Sequence, residues 1–155
     1  MNTEVNPDDE YWMRHALELA ERARQEQEVP VGAILVHENR IIGSGWNQGI
    51  GANDATAHAE IVALRAASKQ LQNYRLPKQT TMYVTLEPCA MCAGAMVHAR
   101  VDRLVFGATD PKTGAVQSIF NILNNEKLNH RAVITGGVLE SACSQILVDF
   151  FQERR

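Results

Sequence analysis

Apolar residues recur along the chain at two different spacings, and each spacing predicts a type of secondary structure. The apolar run at 31–36 is continuous, which is typical of a strand buried on both faces. From about 7 to 27, apolar residues recur three and four positions apart, as in an amphipathic helix. The same patterns predict further strands at 41–46, 81–86, 101–106 and 132–135, and further helices at 58–70, 89–98, 119–123 and 139–150.

The order of these elements predicts the fold class. A short turn at 38–40 separates the first two strands, which we therefore expect to form a hairpin. The later strands alternate with helices, and this alternation implies right-handed parallel crossovers. Gly43 and Gly45 lie inside the second strand and suggest a bulge or a close approach of another backbone. We expect an α/β fold, a three-layer α/β/α sandwich with a five-stranded mixed sheet, in a single domain spanning 1–155.

Composition narrows the class of protein. The chain has 155 residues, of which 45% are hydrophobic and 21% charged, as in an ordinary globular protein. No apolar run approaches the roughly 18 residues of a membrane span, and the acidic, polar N-terminus lacks the features of a signal peptide. We therefore expect a cytoplasmic protein without a membrane partner. The net charge of −3 does not itself suggest a nucleic-acid binder, although a local basic patch would suffice for binding.

Two cysteines and a histidine are the candidate metal ligands. Cys89 and Cys92 lie three residues apart, so both can point from one helix face towards one centre. A helix N-terminus favours thiolate over thiol, and two thiolates with the imidazole of His58 suit zinc. Three cysteines are an odd count, which argues against a disulfide framework. Cys143 lies in the apolar stripe of the last helix, where we expect it to be a packing residue.

Glu60 is the candidate acid and base. Three protein ligands leave one position of a tetrahedral zinc ion open for water, which zinc makes reactive near neutral pH. Glu60 lies two residues after His58, so the two side chains can serve one site only beyond the N-terminal end of their helix. A carboxylate there can accept a proton from the water and deliver it to a leaving group. By itself, Glu60 would more simply compensate the helix dipole.

The sequence His-x-Glu followed by Pro-Cys-x-x-Cys resembles the zinc-dependent nucleobase deaminases. Further segments run in order across nearly the whole chain and look like the tRNA-specific adenosine deaminase family of the cytidine/deoxycytidylate deaminase superfamily. These segments are Pro30-Val31-Gly32-Ala33, Gly45-Trp46-Asn47, Ala57-His58-Ala59-Glu60, Glu87-Pro88-Cys89-Ala90-Met91-Cys92-Ala93-Gly94-Ala95, Phe106-Gly107-Ala108 and Asp110-Pro111-Lys112-Thr113-Gly114-Ala115. Val116-Gln117 is a departure, because smaller residues are expected before Ser118.

The resemblance implies a function and a set of roles. It implies a homodimer with the cytidine-deaminase-like fold. The implied reaction is the hydrolytic deamination of the wobble adenosine of a tRNA anticodon to inosine. It assigns one Zn²⁺ per subunit to His58, Cys89 and Cys92, and proton transfer to Glu60. It places Asn47 against the target base and Asp110 and Lys112 near the RNA, with Arg154 and Arg155 near the phosphates of the anticodon stem.

Other interpretations remain open on the sequence alone. The metal motifs would equally suit a deaminase of free cytosine, guanine or nucleotides. A protein of another class, a zinc-stabilised RNA-binding protein without catalysis, would need a fourth protein ligand. Cys89 and Cys92 could be core residues or a redox pair. Asn47 could simply form a turn, and Arg154 and Arg155 could be a solvated helix end.

Overall fold

The computed structural model describes residues 6–154, so the prediction for Arg155 lies outside the described residues. Its regular elements are α1 (Asp9–Gln25), β1 (Gly32–His37), β2 (Arg40–Trp46), α2 (Ala59–Leu71), β3 (Thr81–Leu86), α3 (Ala90–Ala99), β4 (Arg103–Ala108), β5 (Val133–Thr135) and α4 (Glu140–Glu153). Among the helices within 6–154, none has both the length and the apolar character needed to cross a bilayer.

The five strands form one mixed sheet in the order β2-β1-β3-β4-β5. The β1–β2 hairpin is antiparallel, and β1 also pairs antiparallel with β3. β3 pairs parallel with β4, and β4 pairs parallel with β5. The predicted α/β class and the five-stranded mixed sheet are therefore confirmed.

Helices cover both faces of the sheet, as alternate residues of β1 show. Ala33 and Leu35 belong to the core that includes buried residues of α2 and α3. Ile34 and Val36 belong to a second core with buried residues of α1 and with Cys143 of α4. Because successive side chains of a strand point to opposite faces, the two cores lie on opposite sides of the sheet. This arrangement is the predicted three-layer sandwich, and Cys143 is the buried packing residue that we expected.

Two glycines of β2 allow α2 to lie directly on the sheet. A Cβ atom at Gly43 would stand 2.5 Å from the carbonyl oxygen of Ala63, and one at Gly45 would stand 2.7 Å from that of Ala59. The β1–β2 register also shifts between Leu35 and Val36. Both the close backbone approach and the bulge predicted for this hairpin are therefore present. The approach fixes the N-terminal end of α2 beside the end of β2.

The prediction of a helix at 119–123 is wrong, because these residues form turns and irregular backbone. The N–H of Ile119 donates to the carbonyl of Gly114 at 2.9 Å, and that of Ile122 donates to the carbonyl of Ala115 at 3.1 Å. These bonds span five and seven residues, whereas an α-helix requires four. The preceding amides donate to the carboxylate of Glu87, a long-range partner that a local pattern does not reveal.

Candidate metal centre and active site

Two helix N-termini bring the predicted ligands together. His58 is the N-cap of α2 and Cys89 is the N-cap of α3, and both have extended backbone conformations. The helices thus begin one residue later than predicted, which leaves His58 and Cys89 just beyond the helix ends. Glu60 and Cys92 lie in the first turns of α2 and α3. Two helices aimed at one centre were the arrangement expected from the sequence.

The donor atoms of the three candidate ligands have the spacing of a zinc site. His58 Nδ1 lies 3.6 Å from Cys89 Sγ and 3.5 Å from Cys92 Sγ. All three donor atoms lie within 4.8 Å of one another. Zinc bonds of about 2.0–2.1 Å to nitrogen and 2.3 Å to sulfur, at a tetrahedral angle, would separate the donors by about 3.6 Å. Both nitrogen–sulfur distances match this value, so the donor set fits zinc.

The site has three protein ligands, which is the number typical of a catalytic zinc. Among residues 6–154, the group of side chains close enough to hold a metal ion consists of His58, Cys89 and Cys92. The third cysteine, Cys143, lies in the core on the opposite face of the sheet. Structural zinc sites normally have four protein ligands, whereas catalytic sites leave one position open. The described residues thus favour a catalytic site.

The pKa values of the two cysteines shift in opposite directions. The hydrogen bond from Cys92, assisted by His58, lowers the pKa of Cys89 to about 4. The same bond, together with burial, raises the pKa of Cys92 because its thiol holds the proton that the two sulfurs share. The hydrogen bond with Cys89 raises the pKa of His58. The lowered pKa of Cys89 favours a thiolate there, and metal binding would release protons from thiol ligands.

Glu60 is buried beside these ligands, with 4% of its surface exposed. Burial raises the pKa of its carboxyl group to about 7, against the lowering influence of His58. A group that titrates near neutral pH is suited to both accepting and donating a proton. Helix-dipole compensation does not require a buried carboxylate, so this environment favours the acid and base interpretation.

The site opens into a pocket of about 220 Å³. Asn47 and Asp110 line this pocket, together with the metal site. The lining residues are Val29, Val31, Asn47, His58, Glu60, Leu86, Glu87, Cys89, Asp110 and Thr113. The volume is smaller than the roughly 300–1,000 Å³ of pockets for drug-sized ligands, and a single planar base is a ligand of suitable size.

The basic residues named from the sequence lie outside this pocket lining. The Lys112 side chain is exposed, and its backbone N–H donates to Asp110 Oδ1 at 3.0 Å. Arg154 is the C-cap that follows α4, and its guanidinium carbon lies 4.8 Å from the centre of the Phe150 ring. Because α4 packs on the face opposite α2 and α3, Arg154 is available to a large ligand but not to a small one in the pocket.

Sequence reasoning missed two buried acids that hold the loops around the pocket. Glu28 accepts hydrogen bonds from the backbone N–H groups of Ile50 and Gly51 at 3.1 and 2.8 Å. Glu87 accepts several more from the segment 110–118. A signal for Glu87 was available, because an acid directly after a strongly apolar strand and next to the Pro-Cys pair needs a buried partner.

Comparisons with known proteins identify the family. The model for the cytidine and deoxycytidylate deaminase zinc-binding region matches residues 6–108. A tRNA-specific adenosine deaminase of Haemophilus influenzae is 57% identical over 148 residues, covering 95% of this chain and 85% of that protein. A tRNA-specific adenosine deaminase of Buchnera aphidicola subsp. Schizaphis graminum is 47% identical over 150 residues, covering 95% of this chain and 96% of that protein.

A solved structure has the same fold at substantial identity. It comes from work on A-to-I editing by tRNA:A34 deaminases at the wobble position of transfer RNA. The similarity has a TM-score of 0.84 and 43% identity, and covers 88% of this chain and 99% of that one. The chain therefore belongs to the cytidine and deoxycytidylate deaminase zinc-binding family and, within it, to the tRNA-specific adenosine deaminases.

Proposed function

We propose that this protein catalyses the hydrolytic deamination of adenosine to inosine at the wobble position of a tRNA anticodon. The observation that supports this most strongly is a base-sized pocket in which the buried Glu60 lies beside the cluster of His58, Cys89 and Cys92. Relatives that share about half of its residues over nearly the whole chain are tRNA-specific adenosine deaminases. The substrate is the anticodon stem-loop, whose unpaired bases can leave the stack at low cost.

Metal binding and proton transfer are divided between the ligands and Glu60. His58, Cys89 and Cys92 would hold one zinc ion per subunit. Bound zinc supplies a Lewis acid that makes water reactive near neutral pH. Glu60 accepts a proton from the water that adds to C6 of the adenine and passes it to the ring nitrogen. Glu60 then takes the remaining proton from the added oxygen and delivers it to the departing amino group, so that the C–N bond breaks, ammonia leaves and inosine remains.

Asn47 and Asp110 would position the base in the pocket. Because the side-chain oxygen of Asn47 already accepts a hydrogen bond from the backbone of α2, its amide nitrogen is the group to donate to the base. Asp110 lies on a different loop and lines the same pocket. Lys112, Arg154 and Arg155 would contact phosphates, which offsets the unfavourable net charge of −3.

The working enzyme is, in this proposal, a cytoplasmic homodimer of single-domain subunits. The cytoplasm is the compartment in which tRNA is available as substrate. Support for a dimer comes from Ile119 and Phe120, which expose 50% and 54% of their surfaces beside the pocket loop. Burial of such neighbouring apolar side chains by a second copy would be favourable.

The test compares substrates for the zinc-loaded protein. An anticodon stem-loop with adenosine at its first anticodon position should yield inosine there. The same stem-loop with adenosine moved to the third anticodon position, free adenosine, cytidine and guanine should remain unchanged. Turnover of free cytidine or guanine without turnover of the stem-loop would overturn the proposal in favour of a free-base deaminase. Tight RNA binding without any deamination would favour the non-catalytic alternative.

A further inference from the structure

A buried carboxylate organises one wall of the pocket. Glu87 follows β3 and exposes 2% of its surface. Its Oε1 accepts hydrogen bonds from the N–H of Asp110 at 3.0 Å and from Oγ of Ser118 at 2.5 Å. Its Oε2 accepts hydrogen bonds from the N–H groups of Val116 at 3.1 Å, Gln117 at 2.8 Å and Ser118 at 2.9 Å. One side chain thus holds both ends of the loop at 110–118.

These bonds determine the loop conformation. Hydrogen bonds to an ionised carboxylate are roughly twice as strong as neutral ones, and five of them converge here. The loop also packs directly on the carboxylate, since a Cβ atom at Gly114 would stand 2.5 Å from Glu87 Oε1 and 2.5 Å from the carbonyl of Asp110. Four of the five donors are backbone N–H groups, which every residue except proline provides. Val116 and Gln117, which depart from the pattern of the family, therefore keep the hydrogen bonds to Glu87 through their backbone N–H groups.

The anchored loop supplies part of the pocket. Asp110 and Thr113 line it together with Asn47, and Glu87 itself lies in the wall. Asp110 folds the tip of the loop by accepting hydrogen bonds from Thr113 N at 3.1 Å and Thr113 Oγ1 at 2.8 Å. The N–H of Ala115 donates to the carbonyl of Pro88 at 2.8 Å, which ties the loop to the segment that bears Cys89. A shift of the Glu87 carboxylate would therefore move Asp110 relative to the metal ligands.

We propose that Glu87 is a positioning residue that fixes the loop at 110–118 as a preformed docking wall for the RNA. It acts through Asp110 and Thr113 and governs substrate affinity more than the chemical step. This inference rests on the proposed function, because the ligand of the wall is the stem-loop whose adenosine enters the pocket. Preformed loops bind better because the ordering cost is met on folding, before the ligand arrives.

The first test is the Glu87→Gln variant, which retains the size of the side chain but replaces an acceptor oxygen with a donor group. With the stem-loop substrate, KM should rise about tenfold or more, which corresponds to about 1.4 kcal/mol of binding free energy. The kcat should change less than about threefold, and zinc content should remain one per subunit. A loss of stability alone would reduce the active fraction and kcat, and would leave KM unchanged.

Gly114→Ala approaches the same contact from the loop, and Tyr83→Phe provides the control. The alanine Cβ would displace the loop from the carboxylate, with no substitution in the segment that bears Cys89, so KM should rise as in Glu87→Gln. Tyr83→Phe removes a buried hydrogen bond to Asp9 in the core on the other face, so it should leave KM unchanged. If Glu87→Gln loses zinc, a raised KM in Gly114→Ala supports the role of Glu87, and an unchanged KM in that variant overturns it.

Amide hydrogen exchange separates this inference from the proposed function. The N–H groups of Val116, Gln117 and Ser118 should exchange at least about tenfold faster in Glu87→Gln than in the wild type, whether or not RNA is present. Unchanged exchange, or unchanged KM in a zinc-replete variant, would overturn the role of Glu87 while leaving the proposed function intact. Failure of the wild type to form inosine would overturn the proposed function and, with it, the docking role.

Discussion

The side-chain oxygen of Asn47 accepts a hydrogen bond from the backbone N–H of Ala59 at 2.8 Å. Asn47 directly follows β2, and Ala59 lies between His58 and Glu60 in the chain. The bond satisfies one of the N–H groups that a helix leaves unpaired at its N-terminus. A residue predicted to contact the base therefore also fixes the backbone between a metal ligand and the acid.

Substitutions of Asn47 can separate these two roles. Asn47→Asp keeps an acceptor for the Ala59 N–H but loses the amide donor, whereas Asn47→Ala loses both. We expect both variants to lose at least about fivefold in kcat/KM, since a recognition hydrogen bond contributes about 1 kcal/mol or more. Only Asn47→Ala should also lower the melting temperature. Wild-type kcat/KM in Asn47→Asp would show that the amide does not contact the substrate.

Glu60→Gln should retain one zinc per subunit but lose deamination by at least about 10²-fold, because proton transfer by a positioned side chain contributes 10²–10⁴-fold. Glu140→Gln is the matched control, since Glu140 lies in the first turn of α4 and is exposed. If Glu60 only compensated a helix dipole, the two variants would behave alike. Zinc analysis and steady-state kinetics on the stem-loop distinguish the two cases, and unimpaired turnover in Glu60→Gln would contradict the mechanism.

Metal binding should depend on Cys92 and not on Cys143. Cys92→Ser removes one of three donors and should leave less than about one tenth of the bound zinc, whereas Cys143→Ala should retain the full amount. Prolonged chelation should abolish deamination by the wild type, and added zinc should restore it. Equal zinc contents in the two variants, measured by elemental analysis, would rule out the proposed ligand set.

Two glycine substitutions test the packing that positions α2. Gly43→Ala would bring a Cβ atom within 2.5 Å of the Ala63 carbonyl oxygen, so the helix must shift. We expect the melting temperature to fall by at least about 5 °C, which corresponds to about 2 kcal/mol for a domain of this size. Gly94→Ala in α3 meets nothing within 4 Å and should raise it by about 2 °C, because alanine is the better helix former. Equal melting temperatures would contradict this packing.

Acid should weaken the buried ion pair of Asp9 and Arg103. Two hydrogen bonds of 2.7 and 2.8 Å join the guanidinium to the carboxylate. Burial opposes ionisation, but Arg103 and Asn6 bring the pKa of Asp9 below its ordinary value of 3.8. A folded-state pKa below the unfolded value gives stability that is present above pH 3.8 and is lost as pH falls through the folded value.

The comparison variant for this pair is Asp9→Asn. At pH 7 it should be less stable than the wild type by about 3 kcal/mol, because the largely buried guanidinium of Arg103 loses its charged partner. The difference should shrink as the pH is lowered below about 4. Urea titrations of both proteins at pH 7 and pH 3 would measure it. A difference that stays constant over this range would show that Asp9 does not titrate as the structure indicates.

Local patterns predicted most of the fold because burial follows the secondary-structure period. The continuous run of β1 and the helical stripe of α1 lie where the sequence placed them. Residues 119–123 were assigned wrongly, because the amides just before them pair with Glu87, about 30 residues away in the chain. Periodicity contains no information about such a partner. The helix starts were one residue early, because His58 and Cys89 cap their helices rather than begin them.

The candidate site was predictable to the extent that spacing determines geometry. The Cys-x-x-Cys spacing left a core or redox role open, and the His-x-Glu motif with the family resemblance led to the predicted metal centre, in which His58 lies. The double role of Asn47 and the loop anchor at Glu87 depend on the tertiary approach of β2, α2 and the loop at 110–118. The contacts of Lys112 and Arg154 with RNA stay predictions, because neither side chain lines the pocket.

The central claim is tested most directly with zinc-loaded protein and an unmodified tRNA that has adenosine first in its anticodon. The reaction is run in ¹⁸O-labelled water. The position of inosine in the tRNA is mapped, and the masses of the product nucleosides are measured by mass spectrometry. The account predicts inosine at that position alone, with one labelled oxygen at C6 and release of one ammonia. The absence of inosine from a reaction with confirmed bound zinc, or inosine without the label, would contradict hydrolytic deamination of the wobble adenosine.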